Sequence, residues 1–146
     1  MLEPDEPLTC RYKDISEGMK VPREYVISSS VYENFLRTFD DRSPIHVDEA
    51  YAQRCGFAGR VMHGTILHGF LSHYVGMVFP GRLSLLLSVD IRHSQACYLG
   101  DVILLETTVA QKMDAKMVIV LDAVFQNVTR QVLAARGRLQ VMVRDE

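Results

Sequence analysis

One apolar segment, residues 64–78, constrains the fold more than any other feature of the sequence. It is apolar nearly all round and stops just before a Pro-Gly pair. A helix of this composition is typically buried, so we expect residues 64–78 to form a long central helix of the core. Gly64, Gly69 and Gly76 each cost about 1 kcal/mol relative to Ala in a helix interior, which indicates that another element packs very close to this helix.

The chain that follows the apolar segment is rich in Val, Ile, Leu and Thr. Turn-forming residues divide it into β-rich segments at about 83–93, 102–112, 117–126 and 132–143. These segments predict an antiparallel meander of four strands, which a short strand at Val26-Ile27 precedes. The whole pattern predicts an α+β domain with a single sheet on one helix. Because such a sheet has a free edge, we expect a homodimer or a higher homo-oligomer.

Between the first strand and the apolar segment, the sequence predicts two short helices and a loop. A capping-box pattern at Ser30 begins a helix over residues 31–39. Pro44 forces the following loop out of helical conformation. The second helix has Asp48 as its N-cap and Gly56 just after its last turn.

Length, charge and cysteine content exclude several classes of protein. We expect residues 1–146 to form a single domain, and a formal net charge of −2 does not favour binding to nucleic acid or to an anionic membrane. The three cysteines, Cys10, Cys55 and Cys97, form no CxxC motif and indicate thiols in a reducing compartment. The N-terminus does not resemble a secretory signal and no apolar stretch is long enough to span a bilayer, so we expect a cytoplasmic protein.

Asp41 and His46 are the first candidates for catalysis, since they lie five residues apart in the loop around Pro44. A carboxylate and an imidazole can together position and deprotonate a water molecule, and such proton transfers contribute typically about 10²–10⁴-fold to a rate. In the alternative interpretation, Asp41 only ends a helix and His46 bonds the backbone ahead of Asp48. The spacing alone leaves both interpretations open.

A second candidate site lies where the apolar helix begins, at Met62-His63-Gly64-Thr65. Unpaired backbone N–H groups and the positive end of the helix dipole can bind a carbonyl oxygen that gains negative charge. Gly64 would let a substrate approach this position closely. The alternative is that Gly64 merely allows close packing of the helix and the sheet.

The histidines do not have the spacing of a metal site. His63, His68 and His73 are five residues apart, so neighbouring rings do not share a helix face. The sequence contains neither an HxxxH motif nor a Cys–His cluster, and we expect no bound metal. It also lacks the glycine-rich motifs of dinucleotide and phosphate binding.

Residues 41–48, Asp-Arg-Ser-Pro-Ile-His-Val-Asp, are followed seventeen residues after His46 by His63-Gly64. This combination resembles the hydratase signature of the MaoC-like, (R)-specific enoyl-CoA hydratase family. Residues 13–18 and 98–102 are also similar to the family, so the resemblance covers most of the chain. It implies a hot-dog fold, in which a curved antiparallel sheet wraps around a long central helix, and assembly as a dimer or larger oligomer.

The same resemblance implies reversible hydration of a trans-2-enoyl thioester to an (R)-3-hydroxyacyl thioester. The substrate would be an acyl-CoA or acyl-carrier thioester, and no metal or redox cofactor would take part. By position, Asp41 and His46 would hold and activate the water, as base and as proton donor to the α-carbon, and the backbone N–H of Gly64 would receive the thioester oxygen. The expected substrate-binding residues are Ser43, His63, Thr65 and Ser72, of which the last would line the acyl pocket or support the Asp–His pair.

Two residues depart from the family pattern. The family usually has Asn at the position of Ser43 and often a Gly at that of Asp40. Serine keeps a hydrogen-bonding group with a shorter reach, and Asp40 adds a like charge beside Asp41. Two other functions stay open, a non-catalytic module that binds acyl thioesters and a hot-dog thioesterase.

Overall fold

A computed structural model describes residues 6–146 of the chain. Five strands form one antiparallel sheet: β1 Lys20–Val26, β2 Ser84–His93, β3 Val102–Met113, β4 Val118–Asn127 and β5 Val132–Val143. The helices between β1 and β2 are α1 Ser29–Phe39, α2 Pro44–Val47, α3 Glu49–Arg54 and α4 Ile66–His73, and a π-helical turn, Tyr74–Val78, extends α4. A single sheet on one main helix confirms the predicted α+β architecture.

The core lies between α4 and one face of the sheet. Strand β3 alternates between buried and partly buried residues from Val102 to Val109, as a strand with one covered face should. The buried phenol of Tyr74 fixes the extended end of α4, because its hydroxyl donates to the carbonyl of Val21 at 2.7 Å and lies 2.8 Å from the hydroxyl of Thr107. The large apolar side chains of this core include Ile66, Leu67, Phe70, Leu71, Ile103, Leu105, Val109, Ile119, Leu121, Phe125, Leu139 and Val141.

The central helix differs from its prediction in length and in burial. It begins at Ile66 rather than at residue 64, and Gly69, Ser72 and His73 are exposed on one side of it. A Cβ atom at Gly69 or Gly76 would meet no atom of residues 6–146 within 4 Å. The prediction that the helix is buried on all sides was therefore wrong. The apolar composition did not reveal that one face, which carries Gly69, Ser72 and His73, is exposed. No helix within residues 6–146 is long and apolar enough to cross a bilayer.

The strand order corrects the predicted meander. Strands β3, β4 and β5 are consecutive neighbours, but the order across the sheet is β1-β3-β4-β5-β2. Strand β2 pairs with β5, from Ser84 opposite Val143 to His93 opposite Ala135, and so forms the far edge of the sheet. The four-strand meander was wrong because alternating β-rich segments indicate where strands lie in the chain without selecting their partners.

Helix α1 begins two residues earlier than predicted and ends in an unusual conformation. The hydroxyl of Ser28, not that of Ser30, is the N-cap and accepts a hydrogen bond from the N–H of Val31 at 3.2 Å. At the other end Asp40 has φ 53°, in the left-handed region that glycine adopts most easily. The backbone therefore explains why the family pattern often has Gly where this chain has Asp40.

Helix α3 agrees with the sequence prediction at both ends. Asp48 accepts a hydrogen bond from the N–H of Tyr51 at 2.9 Å, and Gly56 follows the helix with φ 89°. Between α1 and α3, only residues 40–43 form the predicted loop, because Pro44 is the first residue of α2 and His46 lies within that helix. The prediction that Pro44 keeps this whole segment out of helical conformation was therefore wrong, since proline has no N–H to lose at the first position of a helix.

A buried carboxylate, Asp101, organises the turn that leads into β3. It accepts hydrogen bonds from the backbone N–H of Tyr98 at 2.9 Å, from Asn127 Nδ2 at 2.7 Å and from Arg130 Nε at 2.9 Å. Just before this turn, the carbonyl of Cys97 accepts a hydrogen bond from the N–H of Met62 at 2.9 Å. The Asp101 network therefore helps to position the residues that precede α4.

Candidate active site

Asp41, in the loop before α2, lies close to His46, within α2, and His46 Nε2 is 3.8 Å from Asp41 Oδ2. The Nδ1 atom of His46 lies 2.6 Å from the carbonyl oxygen of Val61, which can only accept, so Nδ1 carries the hydrogen of the neutral ring. The lone pair is then on Nε2, the nitrogen that lies near Asp41. A gap of this length is too long for a direct hydrogen bond, but a water oxygen can lie about 2.8 Å from both atoms.

The backbone of the loop holds the carboxylate of Asp41 in place. Its Oδ1 atom accepts a hydrogen bond from the N–H of Ser43 at 3.2 Å. The hydroxyl of Tyr32, on α1, donates to the carbonyl of His46 at 2.9 Å. The first bond lies within the loop and the second joins His46 to α1, so together they fix the relative positions of the carboxylate and the imidazole.

His63 lies beneath the Asp41–His46 pair and is almost fully buried. Its Nε2 atom lies 2.8 Å from the carbonyl oxygen of Asp41 and donates to it, and its ring centroid is 4.0 Å from that of His46. The Nδ1 atom of His63 is buried and has no hydrogen-bond partner within residues 6–146. The structure thus places His63 under the loop as a support, and its predicted contact with substrate stays a prediction.

One nitrogen or oxygen from each of Asp41, His46 and His63 lies within 4.8 Å of the others. The histidine spacing did not reveal this group, because it compared positions on one helix, whereas His46 lies in α2 and His63 precedes α4. In the observed arrangement His63 Nε2 uses its hydrogen on the carbonyl of Asp41 and offers no lone pair there. The expectation of no metal stays a prediction.

Gly64 opens onto a cavity of about 250 Å³, which His46, Met62, Leu67, His93 and Cys97 also line. Within residues 6–146, no atom accepts a hydrogen bond from the backbone N–H of Gly64, so this donor is available to a ligand. A Cβ atom at this position would lie 3.1 Å from His93 Cε1. Close approach of His93 therefore favours glycine here.

A second and larger cavity has a volume of about 550 Å³. Asp41 and Thr65 line it together with Phe35, Phe39, His68 and Gly69. Its aromatic lining suits an apolar ligand. Because His46 lines the smaller cavity and Asp41 the larger one, the pair lies where the two cavities approach each other.

Ser43 and Ser72 complete the set of predicted site residues. Ser43 contacts Asp41 through its backbone, and its hydroxyl makes no capping bond to α2. Ser72 lies on the exposed side of α4, one turn beyond His68. Contact of either hydroxyl with substrate stays a prediction. Sequence reasoning did not identify Tyr32, Val61 or His93, because no local pattern links these residues to the loop or to Gly64.

Two cysteines, Cys55 and Cys97, should differ in reactivity because one is exposed and the other is buried. Burial raises the pKa of Cys97 from its ordinary value of 9.0 to about 11, whereas Cys55 is exposed. A raised pKa leaves less thiolate, and two pKa units reduce its fraction about 100-fold near pH 8. We expect iodoacetamide to modify Cys55 at least about 100-fold faster than Cys97, as measured by mass spectrometry of the digested protein. Equal rates would contradict the buried position of the Cys97 thiol.

Sequence comparison places these features in a known family. The family described as MaoC like domain matches residues 13–131. An (R)-specific enoyl-CoA hydratase from Rhodospirillum rubrum is 30% identical over 105 residues, which are 72% of this chain and 73% of that protein. A 3-hydroxybutyryl-CoA dehydratase from Methylorubrum extorquens is 29% identical over 100 residues, 68% of this chain and 64% of that protein. Both names describe hydro-lyases.

Solved structures show the same fold. An R-hydratase from Pseudomonas aeruginosa in the unliganded form has a TM-score of 0.86 and 25% identity, with 94% of this chain and 88% of that chain covered. The (R)-hydratase from A. caviae has a TM-score of 0.82 and 22% identity, over 90% of this chain and 98% of that one. These similarities confirm the predicted hot-dog fold. The family match spans the Asp41 loop, Gly64 and most of the sheet, and the chain therefore belongs to the MaoC-like domain family.

Proposed function

We propose that this chain reversibly hydrates a trans-2-enoyl-CoA to the (R)-3-hydroxyacyl-CoA. The observation that carries the proposal is the distance of 3.8 Å between His46 Nε2 and Asp41 Oδ2, which allows one water molecule to form hydrogen bonds of about 2.8 Å with both atoms. The free N–H of Gly64 supports it, because the reaction needs a donor for the thioester oxygen. The names of the relatives, a hydratase and a dehydratase of CoA thioesters, support it as well.

In the proposed reaction, the water oxygen forms a bond to C3 while His46 Nε2 takes one of the water protons. The electron pair of the C2=C3 double bond moves toward the thioester carbonyl and forms an enolate, whose oxygen accepts a hydrogen bond from Gly64. The imidazolium of His46 then gives the proton to C2, so the enzyme returns to its starting state. The second hydrogen stays on the oxygen that becomes the 3-hydroxyl group, and the carboxylate of Asp41 accepts a hydrogen bond from it and stabilises the imidazolium. Dehydration follows the same steps in reverse.

We propose CoA as the group that carries the acyl chain, because the two relatives named above act on CoA thioesters. An acyl-carrier thioester would present the same reacting atoms. The proposed steps use only protein groups, water and substrate, so they call for neither a metal nor a redox cofactor. The free thiols of Cys10, Cys55 and Cys97 support a reducing compartment, and we propose the cytoplasm.

The exposed edge of the sheet supports assembly as a homodimer. Strand β2 is an edge strand and exposes two apolar side chains, Leu85 at 60% and Leu87 at 46% of their surface. An apolar edge strand is prone to pair with another chain. Two copies related by a twofold axis would pair their β2 edges and cover these leucines, so we propose a homodimer.

A direct assay tests the proposed function. The absorbance of the conjugated enoyl thioester disappears on hydration, and stereospecific dehydrogenases identify the configuration of the product. With a short and a medium trans-2-enoyl-CoA, we expect loss of absorbance, an (R)-3-hydroxyacyl product and no free thiol. Release of free CoA would instead identify a thioesterase. Binding without turnover would identify an acyl-thioester-binding module.

A further inference from the structure

The imidazole of His93, at the end of β2, lies directly against Gly64. A Cβ atom at Gly64 would be 3.1 Å from His93 Cε1 and 3.3 Å from each of the two ring nitrogens. The carbon between the nitrogens therefore lies nearest to Gly64, and a nitrogen lies on either side of it. We propose that His93 is a further catalytic residue, which donates a second hydrogen bond to the thioester oxygen that the N–H of Gly64 binds. The inference rests on the proposed function.

The N–H donor of His93 is available, whereas the N–H donors of His46 and His63 are both used within the protein. His46 uses Nδ1 on the carbonyl of Val61, and His63 uses Nε2 on the carbonyl of Asp41. The ring nitrogens of His93 have no hydrogen-bond partner within residues 6–146, and its side chain is exposed. Because either neutral tautomer of an imidazole carries one N–H, His93 can donate to a ligand without breaking a bond within the protein.

The position of His93 places this donor in the cavity where the reaction would occur. His93 and Gly64 line the cavity of about 250 Å³ together with His46. The Nδ1 atom of His68 also has no hydrogen-bond partner within residues 6–146, but His68 lines the larger cavity with Asp41 and not the cavity of Gly64 and His93. Its ring centroid is 6.0 Å from that of His93. Burial, and secondarily the charge of His93, lowers the pKa of His68, so the ring beside His93 is neutral near pH 7. His93 is thus the histidine with a free donor on the Gly64 side.

A second donor at this oxygen would act mainly in the transition state. Negative charge on the oxygen grows as the enolate forms, so a hydrogen bond to it strengthens between bound substrate and transition state. Loss of such a donor lowers kcat more than it raises KM. A single donor of this kind is worth about 10²–10³-fold in kcat when it is enclosed. Because His93 is exposed to solvent, we expect about 10–100-fold.

Three variants separate the donor from the bulk of the ring. His93→Phe keeps an aromatic ring but removes the donor, and should lower kcat about 10–100-fold with little change in KM. His93→Gln keeps an N–H donor and should recover most of that loss. Arg92→Gln is the matched control. Arg92 is exposed and precedes His93 in β2, so its side chain points to the opposite face of the strand. The kcat of this variant should equal that of the unmodified protein.

A bound chromophore tests the hydrogen bond without turnover. The absorption of 4-dimethylaminocinnamoyl-CoA moves to longer wavelength as its thioester carbonyl is polarised. We expect binding to the unmodified protein to shift this band, His93→Phe to shift it less, and His93→Gln to shift it nearly as much. Thermal unfolding of each variant shows whether the fold is retained.

The outcomes distinguish this inference from the proposed function. Equal kcat and equal band shifts for His93→Phe and the unmodified enzyme would overturn the role of His93 while the hydratase activity stands. A loss in His93→Gln as large as that in His93→Phe would also overturn it, because ring shape rather than the donor would then matter. If no enoyl-CoA is hydrated, the proposed function fails, and the band shift still decides whether His93 polarises a bound thioester carbonyl.

Discussion

Replacement of Asp41 by Asn should lower kcat by about 10²–10⁴-fold and leave the fold intact. The amide keeps an Oδ1 atom that can accept the N–H of Ser43, now at 3.2 Å, so the loop retains its support. In place of Oδ2, however, an NH₂ group would lie opposite His46 Nε2, 3.8 Å away. That group can neither accept a hydrogen from the water nor stabilise an imidazolium. The assay is the loss of enoyl-CoA absorbance, with thermal unfolding to verify the fold.

Asp40→Asn is the matched control, because it removes the same charge from the adjacent residue. The carboxylate of Asp40 is exposed and forms an ion pair with Arg42 Nε at 2.6 Å. Asparagine tolerates the left-handed backbone at this position, where φ is 53°. We expect kcat to stay within about twofold, since an exposed ion pair contributes little. Equal losses in both variants would assign the effect to loop charge, and full activity of Asp41→Asn would refute the proposed mechanism.

Replacement of Asp101 by Ala should reduce the free energy of unfolding by about 3 kcal/mol, the lower end of what loss of one partner of a buried ion pair costs. The side chain of Asp101 is only 2% exposed, and its loss leaves the buried amide of Asn127 without its partner. Arg130 is 39% exposed and can return partly to water, which places the cost at the lower end. Urea unfolding measures the change.

A second aspartate provides the comparison for this stability effect. Asp122, on β4, forms an ion pair with Arg138 at 3.2 Å, and both side chains are at least half exposed. Its replacement by Ala should cost less than about 1 kcal/mol because solvent screens the pair. Similar losses for Asp101→Ala and Asp122→Ala would contradict a special role of the buried network. The network also positions Cys97, whose carbonyl accepts the N–H of Met62, and both residues line the cavity of Gly64. Asp101→Ala should therefore also weaken substrate binding.

Local signals account for the parts of the fold that the sequence predicted well. The β-rich segments match β2 to β5 to within one residue at each end, because Val, Ile and Thr favour extended backbone and turn residues interrupt it. Asp48 and Gly56 begin and end α3 as predicted, since capping depends on residues only a few positions apart. The shift of the α1 cap from Ser30 to Ser28 has the same origin, because adjacent serines offer equivalent hydroxyls.

Some features of the candidate site could likewise be predicted from local sequence, and others could not. Asp41, His46 and Gly64, which lies two residues before α4, could be identified from a motif of residue types and spacing. The direction of the His46 ring could not, because it depends on the carbonyl of Val61, which lies fifteen residues away along the chain. Contact between His93 and Gly64 joins the end of an edge strand to the beginning of a helix, and no short pattern encodes it.

The sequence by itself determined the types of elements, the α+β class and the motif that indicates a hydratase, because helix caps, proline, alternation and residue spacing act over short distances. Only the tertiary structure decided that β2 lies at the edge beside β5, that one side of α4 is open, and that His63 lies under the loop. Each of these depends on contacts between residues far apart in the chain. The packing of the whole core selects these contacts. The same local patterns are compatible with several arrangements of helices and strands, but only one arrangement fills the core at close-packed density.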